Sequence, residues 1–168
     1  MILIIEGTDL VGKSTIAEHC AASHGWPIVK IRWSLIGDVE AETRGMATAT
    51  IELLVATQPD VIFDRSYFSM WAYGKDVSYM PEFLAAFDRV SRVMPARLVL
   101  LTASDETLRG RYGRQPDLYH SLDIIRRANA RFPSLLPLLP DTLPCLHIDT
   151  TDISPGQAVA MVERFIKV

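Results

Sequence analysis

The chain has 168 residues, 49% of them hydrophobic and 22% charged, and a formal net charge of −3. That composition excludes a disordered or collagen-like chain, and the charge gives no bulk attraction to a nucleic-acid backbone, so a polymeric nucleic-acid partner is not favoured. The length suits one domain, residues 1–168, with a full hydrophobic core, and no apolar run is long enough to span a bilayer.

Met1 to Ile5 is an apolar run that reads as a buried strand. Thr15 to Ser23 follows as a helix with Ile16, Ala17 and Cys20 on one face, closed by Gly25. Pro27 to Trp33 reads as a second strand, and Asp38 to Ala56 as a long Ala- and Met-rich helix that could pair two copies of the chain or simply line the core. Thr57-Gln58-Pro59-Asp60 is a turn. Val61-Ile62-Phe63 is a short buried strand ending in Asp64-Arg65-Ser66. Helices are expected over Tyr67–Gly74 and Pro81–Val93. Arg97 to Leu101 is another buried strand. A helix starts at Asp105 and runs to Tyr112, and the arginine-rich stretch to Tyr119 reads as a loop. His120 to Leu136 is helical, bent or ended by Pro133. Cys145 to Asp149 is the last strand, and Ser154 to Lys167 the last helix, with Pro155 in its first turn.

Strands that are continuous apolar runs, alternating with helices, indicate a parallel sheet covered on both faces. The expected architecture is α/β, with five parallel strands. Ligands of such sheets bind beyond the carboxyl ends of the strands. The polar clusters Gly7–Ser14, Arg32-Trp33, Asp64-Arg65 and Thr102–Asp105 all fall at those ends. Cys20 and Cys145 show no metal-ligand spacing and read as buried, reduced thiols in a cytoplasmic setting. The strand at the N-terminus, with Glu6 close behind, does not read as a signal peptide. None of the four histidines has a partner pattern, and His147, inside a strand, reads as a satisfied core residue.

Gly7 and Gly12-Lys13-Ser14 complete the pattern G-x-x-x-x-G-K-[ST] between the first strand and the first helix. A loop of this kind turns backbone N–H groups inward to cradle phosphate oxygens, and the helix behind it presents its positive end. Lys13 then reaches the outer phosphates as a point charge, and Ser14 offers a hydroxyl to Mg²⁺; Thr15 completes the nucleotide-binding set. Asp64, at the end of a buried strand beside this loop, stands where a second Mg²⁺-organising carboxylate would act through water. Arg65 beside it could clamp an anionic group. An Asp-Arg pair can also simply cap a helix; next to a phosphate loop the ligand role is favoured. Asp9, inside the loop, faces Lys13, Mg²⁺ or an acceptor sugar, or else is an ordinary turn residue. Arg109, Arg111 and Arg114, spaced by Gly110 and Gly113, suit a mobile lid over about 109–119 that neutralises charge during transfer; a solvated basic helix end is the plainer alternative. Trp33, Phe68, Trp71 and Tyr73 are aromatic faces near the expected cleft that could hold a planar base, though any one of them could belong to the core.

Glu6-Gly7-Thr8-Asp9-Leu10-Val11-Gly12-Lys13-Ser14-Thr15 resembles the E-G-x-D-x-x-G-K-[ST]-T of the thymidylate kinase family. Asp64-Arg65-Ser66-Tyr67-Phe68-Ser69-Met70-Trp71-Ala72-Tyr73 resembles that family's D-R-[YH]-x-x-S-x-x-A-[YF]. The resemblance implies a P-loop nucleoside or nucleotide kinase fold with a short lid. It implies ATP and Mg²⁺ at Gly7, Gly12, Lys13, Ser14 and Thr15, and Mg²⁺ organised by Asp64. It implies an acceptor held by Asp9, Arg32, Trp33, Arg44, Arg65 and Tyr73. Leu10 and Val11 leave the loop without an arginine of its own, which by the resemblance shifts the catalytic charge to Arg109, Arg111 and Arg114. Two departures bear on the acceptor: the chain is short between Trp33 and Arg44, and Arg32-Trp33-Ser34 stands where the family commonly has R-E-P.

The activity so implied is ATP-dependent phosphorylation of a deoxynucleoside monophosphate, dTMP or a related dNMP. Such an acceptor is already an oxyanion and needs no general base. The alternative is a deoxynucleoside kinase, for which Asp64-Arg65-Ser66 matches an [ED]-R-S motif. A 5′-hydroxyl acceptor calls for a carboxylate base near the second strand, where Asp38 and Glu40 are the nearest. A nucleotide-binding module without transfer is the remaining alternative.

Overall fold

The structure, a computed structural model, describes residues 1–30, 49–50, 52–74, 80–114 and 120–167. In chain order these form β1 (Ile2–Gly7), α1 (Lys13–His24), β2 (Ile28–Lys30), β3 (Val61–Asp64), α2 (Phe68–Ala72), α3 (Met80–Val93) and β4 (Ala96–Thr102). There follow α4 (Asp105–Arg114), α5 (Leu122–Arg131), a 3₁₀ segment (Phe132–Leu138), β5 (Cys145–Asp149) and α6 (Pro155–Ile166). Residues 49–50 and 52–57 are also helical. These are the described parts of the stretch expected at Asp38–Ala56; Asp38, Glu40 and Arg44 lie outside the described residues, as do Arg32 and Trp33.

The five strands make one sheet in the order β2-β3-β1-β4-β5, and every neighbouring pair is parallel. The expected α/β architecture is therefore the observed one. Side chains alternate across the sheet, so each apolar run feeds two cores. Ile2 and Ile4 join Phe63, Leu98 and Leu100 on the face covered by α2, α3 and the 3₁₀ segment. Leu3 and Ile5 join Ile62, Val99 and Leu101 on the face covered by α1 and α6. Phe68, Phe83 and Phe87 pack in edge-on and tilted pairs in the first core with ring centroids 5.1 to 6.1 Å apart, an arrangement worth about 0.5–1.5 kcal/mol per pair beyond area burial.

Local chemistry sets the element ends. Gly25, at φ 72, closes α1 in the left-handed conformation that ends many helices. Ser154 opens α6 with a reciprocal capping box to Gln157, and Pro155 occupies its first turn. Pro133 ends α5: the helix expected to Leu136 passes into a 3₁₀ segment at Phe132, because the proline ring removes an N–H and collides with the preceding turn.

Three expectations are corrected. The helix begun at Asp105 continues through Arg114, so Arg114 is on a helix and not on a loop; buried Leu108 and the contacts of Arg111 described below anchor it despite Gly110 and Gly113. His147 is not a core residue: its side chain is exposed on the edge strand β5 and pairs with Thr102 Oγ1 at 2.9 Å. Phe68, expected in the acceptor pocket, is fully buried against Phe83 and Phe87 and offers no open face to a base. No helix among the described residues is long and apolar enough to cross a membrane.

Candidate active site

The register of the sheet brings the motif residues together. Ile5 lies opposite Asp64, and Gly7 opposite Leu101, so the loop after β1 and the turn after β3 share one edge. Gly7 has φ 140 and packs on the Leu101 carbonyl with no room for a Cβ; Gly12 has φ 94 as the last residue before α1. Only glycine reaches both conformations without strain. Thr8 is buried and anchors the loop by donating from Oγ1 to the carbonyl of Ile125 at 3.1 Å.

Lys13 is 6% exposed and curls back to donate from Nζ to the Thr8 carbonyl at 2.5 Å. Burial, reinforced by the positive charge of Arg65, pulls its pKa down to about 8 although Asp9, Asp64 and Glu6 oppose the shift. Ser14 Oγ donates to Asp64 Oδ2 at 3.0 Å, and Lys30 Nζ lies 3.7 Å from the same oxygen. Among the described residues no group of three or more histidine, cysteine or acidic side chains forms a metal cage. One hydroxyl and one carboxylate nevertheless fit Mg²⁺, which keeps several waters and binds largely through its phosphates.

Arg65 follows β3 with a left-handed backbone, φ 74. Its guanidinium pairs with Asp9 Oδ1, donates to the Gly7 carbonyl at 3.2 Å and lies 5.5 Å from the Tyr73 ring centroid. Asp9 Oδ2 accepts from the Tyr73 hydroxyl at 2.9 Å and lies 3.0 Å from His120 Nδ1. Burial works against the Asp9 carboxylate, but Arg65, Lys13 and the Tyr73 hydrogen bond outweigh it and hold its pKa below the usual range. Burial pushes the Tyr73 hydroxyl up to about 12, with Asp9 adding to the rise and Arg65 opposing it. The sequence-expected Asp9, Asp64, Arg65 and Tyr73 thus form one constellation with Lys13 and Ser14.

Two members were not found in the sequence. His120 packs against Tyr73 in a tilted pair with ring centroids 4.8 Å apart while facing Asp9; it is 111 residues from Asp9 and carries no local motif. Glu6 is fully buried and accepts from Ser66 and Ser69. Its signal was available: an acidic residue closing a buried apolar strand requires partners.

The three arginines of α4 have different surroundings. Arg111 donates to the Leu10 carbonyl at 2.8 Å and to the Thr150 carbonyl and hydroxyl at 2.7 and 3.0 Å. It lines a cleft of about 200 Å³ with Leu10, Gly12, Thr15, Thr150 and Ile153. Arg109 pairs at the surface with Asp105, and Arg114 donates back to the Gly110 carbonyl. Neither touches the phosphate loop in these contacts. Residues 115–119 of the expected lid lie outside the described residues. Trp71 donates to Ser134 Oγ at 2.9 Å.

No protein-family model and no curated protein matches the sequence. Solved structures do. The YorR protein of Bacillus subtilis, in complex with phosphorylated GDP, superposes with a TM-score of 0.79 at 19% identity over 99% of this chain and 96% of its own. Deoxyadenosine kinase from M. mycoides, with products dCMP and dCDP bound, gives a TM-score of 0.63 at 15% identity, covering 99% and 98%. Thymidylate kinase from Candida albicans gives 0.63 at 16% identity, covering 99% and 90%. The likeness spans the chain from end to end and agrees with the sheet order and phosphate loop: this chain has the α/β fold of the P-loop nucleotide and deoxynucleoside kinases.

Proposed function

We propose that this protein transfers the γ-phosphoryl group of ATP to a deoxynucleoside monophosphate, dTMP or a related dNMP. The observation that carries the reading is the cluster at one end of the sheet in which Lys13, Ser14 and Asp64 meet Arg65 and Asp9. A donor-phosphate cradle and a half-buried arginine for a second anion are the two requirements of transfer between nucleotides.

In the reaction an acceptor phosphate oxygen attacks the γ-phosphorus, the bond from that phosphorus to the β–γ bridging oxygen breaks, and ADP leaves with the electron pair. Lys13 and the loop amides hold the donor phosphates. Ser14 and Asp64 would hold Mg²⁺, which would supply neutralising charge at the phosphate oxygens. Arg65 steers the acceptor phosphate, and Asp9 and Tyr73 orient its guanidinium. Arg111, beside the 200 Å³ cleft, orders the donor side of the loop. The neighbours named above act on or bind nucleotides and nucleosides, which supports the substrate class.

The second reading, a deoxynucleoside kinase, is favoured by one observation. Arg65 is already neutralised by Asp9, so part of its charge is spent before any acceptor phosphate arrives. The test is ADP release from Mg²⁺-ATP with a panel of deoxynucleosides and their 5′-monophosphates. Turnover on a monophosphate supports the main reading; turnover on nucleosides alone replaces it with the second. Arg65→Ala should then raise the acceptor KM more than the donor KM.

A further inference from the structure

Arg65 combines two features that do not occur together without support. Its backbone is left-handed, a conformation unfavourable for a side chain with a Cβ. Its guanidinium is nevertheless held in one place, on Asp9 and the Gly7 carbonyl. The surrounding structure must therefore over-determine it.

The support is on β1. The Arg65 N–H donates to the carbonyl of Ile5 at 3.0 Å. The next N–H, that of Ser66, donates to Glu6 Oε1 at 2.6 Å, and the Ser66 hydroxyl donates to the same oxygen at 2.7 Å. Consecutive amides are thus pinned to consecutive residues of a central strand, and a reversal of the Arg65 φ would carry the Ser66 N–H away from the carboxylate. The other oxygen, Glu6 Oε2, accepts from the Ser69 hydroxyl at 2.7 Å, and that hydroxyl accepts from Arg65 Nη1 at 3.4 Å. One carboxylate therefore sets both ends of the arginine. Glu6 is 0% exposed and its described hydrogen-bond partners are Ser66 and Ser69, so it acts through them and not on a substrate.

We infer that Glu6 is a positioning residue for the acceptor: through Ser66 and Ser69 it fixes the backbone and guanidinium of Arg65 that receive the acceptor anion. The inference rests on the function proposed above. Glu6→Gln preserves the pin, because the amide oxygen accepts both Ser66 donors and the Ser69 hydroxyl turns to accept from the amide nitrogen. Glu6→Ala and Ser69→Ala remove all or part of it.

The experiment is steady-state kinetics of wild type, Glu6→Gln, Glu6→Ala and Ser69→Ala, with donor and acceptor varied separately and Tm measured alongside. Glu6→Gln should stay within about threefold of wild type, while Glu6→Ala raises the acceptor KM roughly tenfold or more and leaves the donor KM within about threefold. Ser69→Ala should raise the acceptor KM by about threefold or more. A lowered Tm with both KM values unchanged would make Glu6 merely structural and overturn the inference. If Glu6→Ala does not fold, an unchanged acceptor KM in Ser69→Ala overturns it equally. A wild type inert across the panel refutes the proposed function instead. The pin is then decided by a crystal structure of Ser69→Ala: Arg65 displaced from Asp9 upholds it, and Arg65 unmoved rejects it.

Discussion

Lys13 is a buried cation with its charge partly suppressed before any phosphate binds, and this has a measurable consequence. Its ordinary pKa of 10.5 falls to about 8, first through burial and then through Arg65. Holding it protonated in the empty protein at neutral pH costs folding roughly 3 kcal/mol. Between about pH 8 and 10.5 the unfolded chain binds a proton at Lys13 that the folded chain lacks, so stability should rise with pH across that window. Donor binding responds in the opposite sense. Triphosphate oxygens favour the ammonium, so above pH 8 binding must return the proton. A site with a pKa near 8 that is fully protonated when occupied takes up about 0.8 proton at pH 8.5, and its Kd rises roughly tenfold from pH 7 to pH 9. Calorimetry with a non-hydrolysable ATP analogue, in two buffers of different ionisation enthalpy, measures both quantities. Lys13→Met should abolish the uptake. A wild-type Kd that is flat between pH 7 and 9, with no proton taken up, would refute the assignment of Lys13 as the buried phosphate ligand.

Asp64→Asn keeps the hydrogen bond from Ser14 and removes the charge; kcat should fall roughly 10²-fold, and the Mg²⁺ concentration for half-maximal rate should rise, in a metal titration at fixed ATP. Arg111→Ala should lower kcat/KM for ATP by about tenfold or more, because three hydrogen bonds to Leu10 and Thr150 are lost. Arg109→Ala, which loses only a surface pair with Asp105, should change it by less than about threefold in the same assay; equal losses would mean that Arg109 reaches the substrate on closure. Gly7→Ala would press a Cβ into the Leu101 carbonyl and to within 2.9 Å of Val11 Cγ2. The variant should lose about 2–5 kcal/mol, read as a Tm lower by on the order of 10 °C.

What the sequence determined by itself was the part carried by neighbouring residues. Apolar runs at Ile2–Ile5, Val61–Phe63 and Leu98–Leu101 announce buried parallel strands because both faces of each strand are covered. The spacing from Gly7 to Ser14 announces a phosphate loop because its conformation depends on glycines at defined positions. Asp64 and Arg65 were legible because they close a strand beside that loop.

Tertiary structure decided the pairings. Arg65 meets Asp9 across 56 residues, and Glu6 meets Ser66 and Ser69 across 60 and 63. His120 reaches Asp9 across 111. No local periodicity encodes such separations; they follow from strand order, which brings β3 beside β1 and the start of α5 over the loop. The same holds for the residues whose roles changed. Phe68 and Tyr73 stand five positions apart at one helix, yet the packing of α3 sends one into the core and leaves the other at Asp9. Arg109, Arg111 and Arg114 look alike in sequence. Arg109 and Arg111, two apart on the helix, face different ways, while Arg114, one turn on from Arg111, donates back to the Gly110 carbonyl, so among the described contacts only Arg111 reaches Leu10.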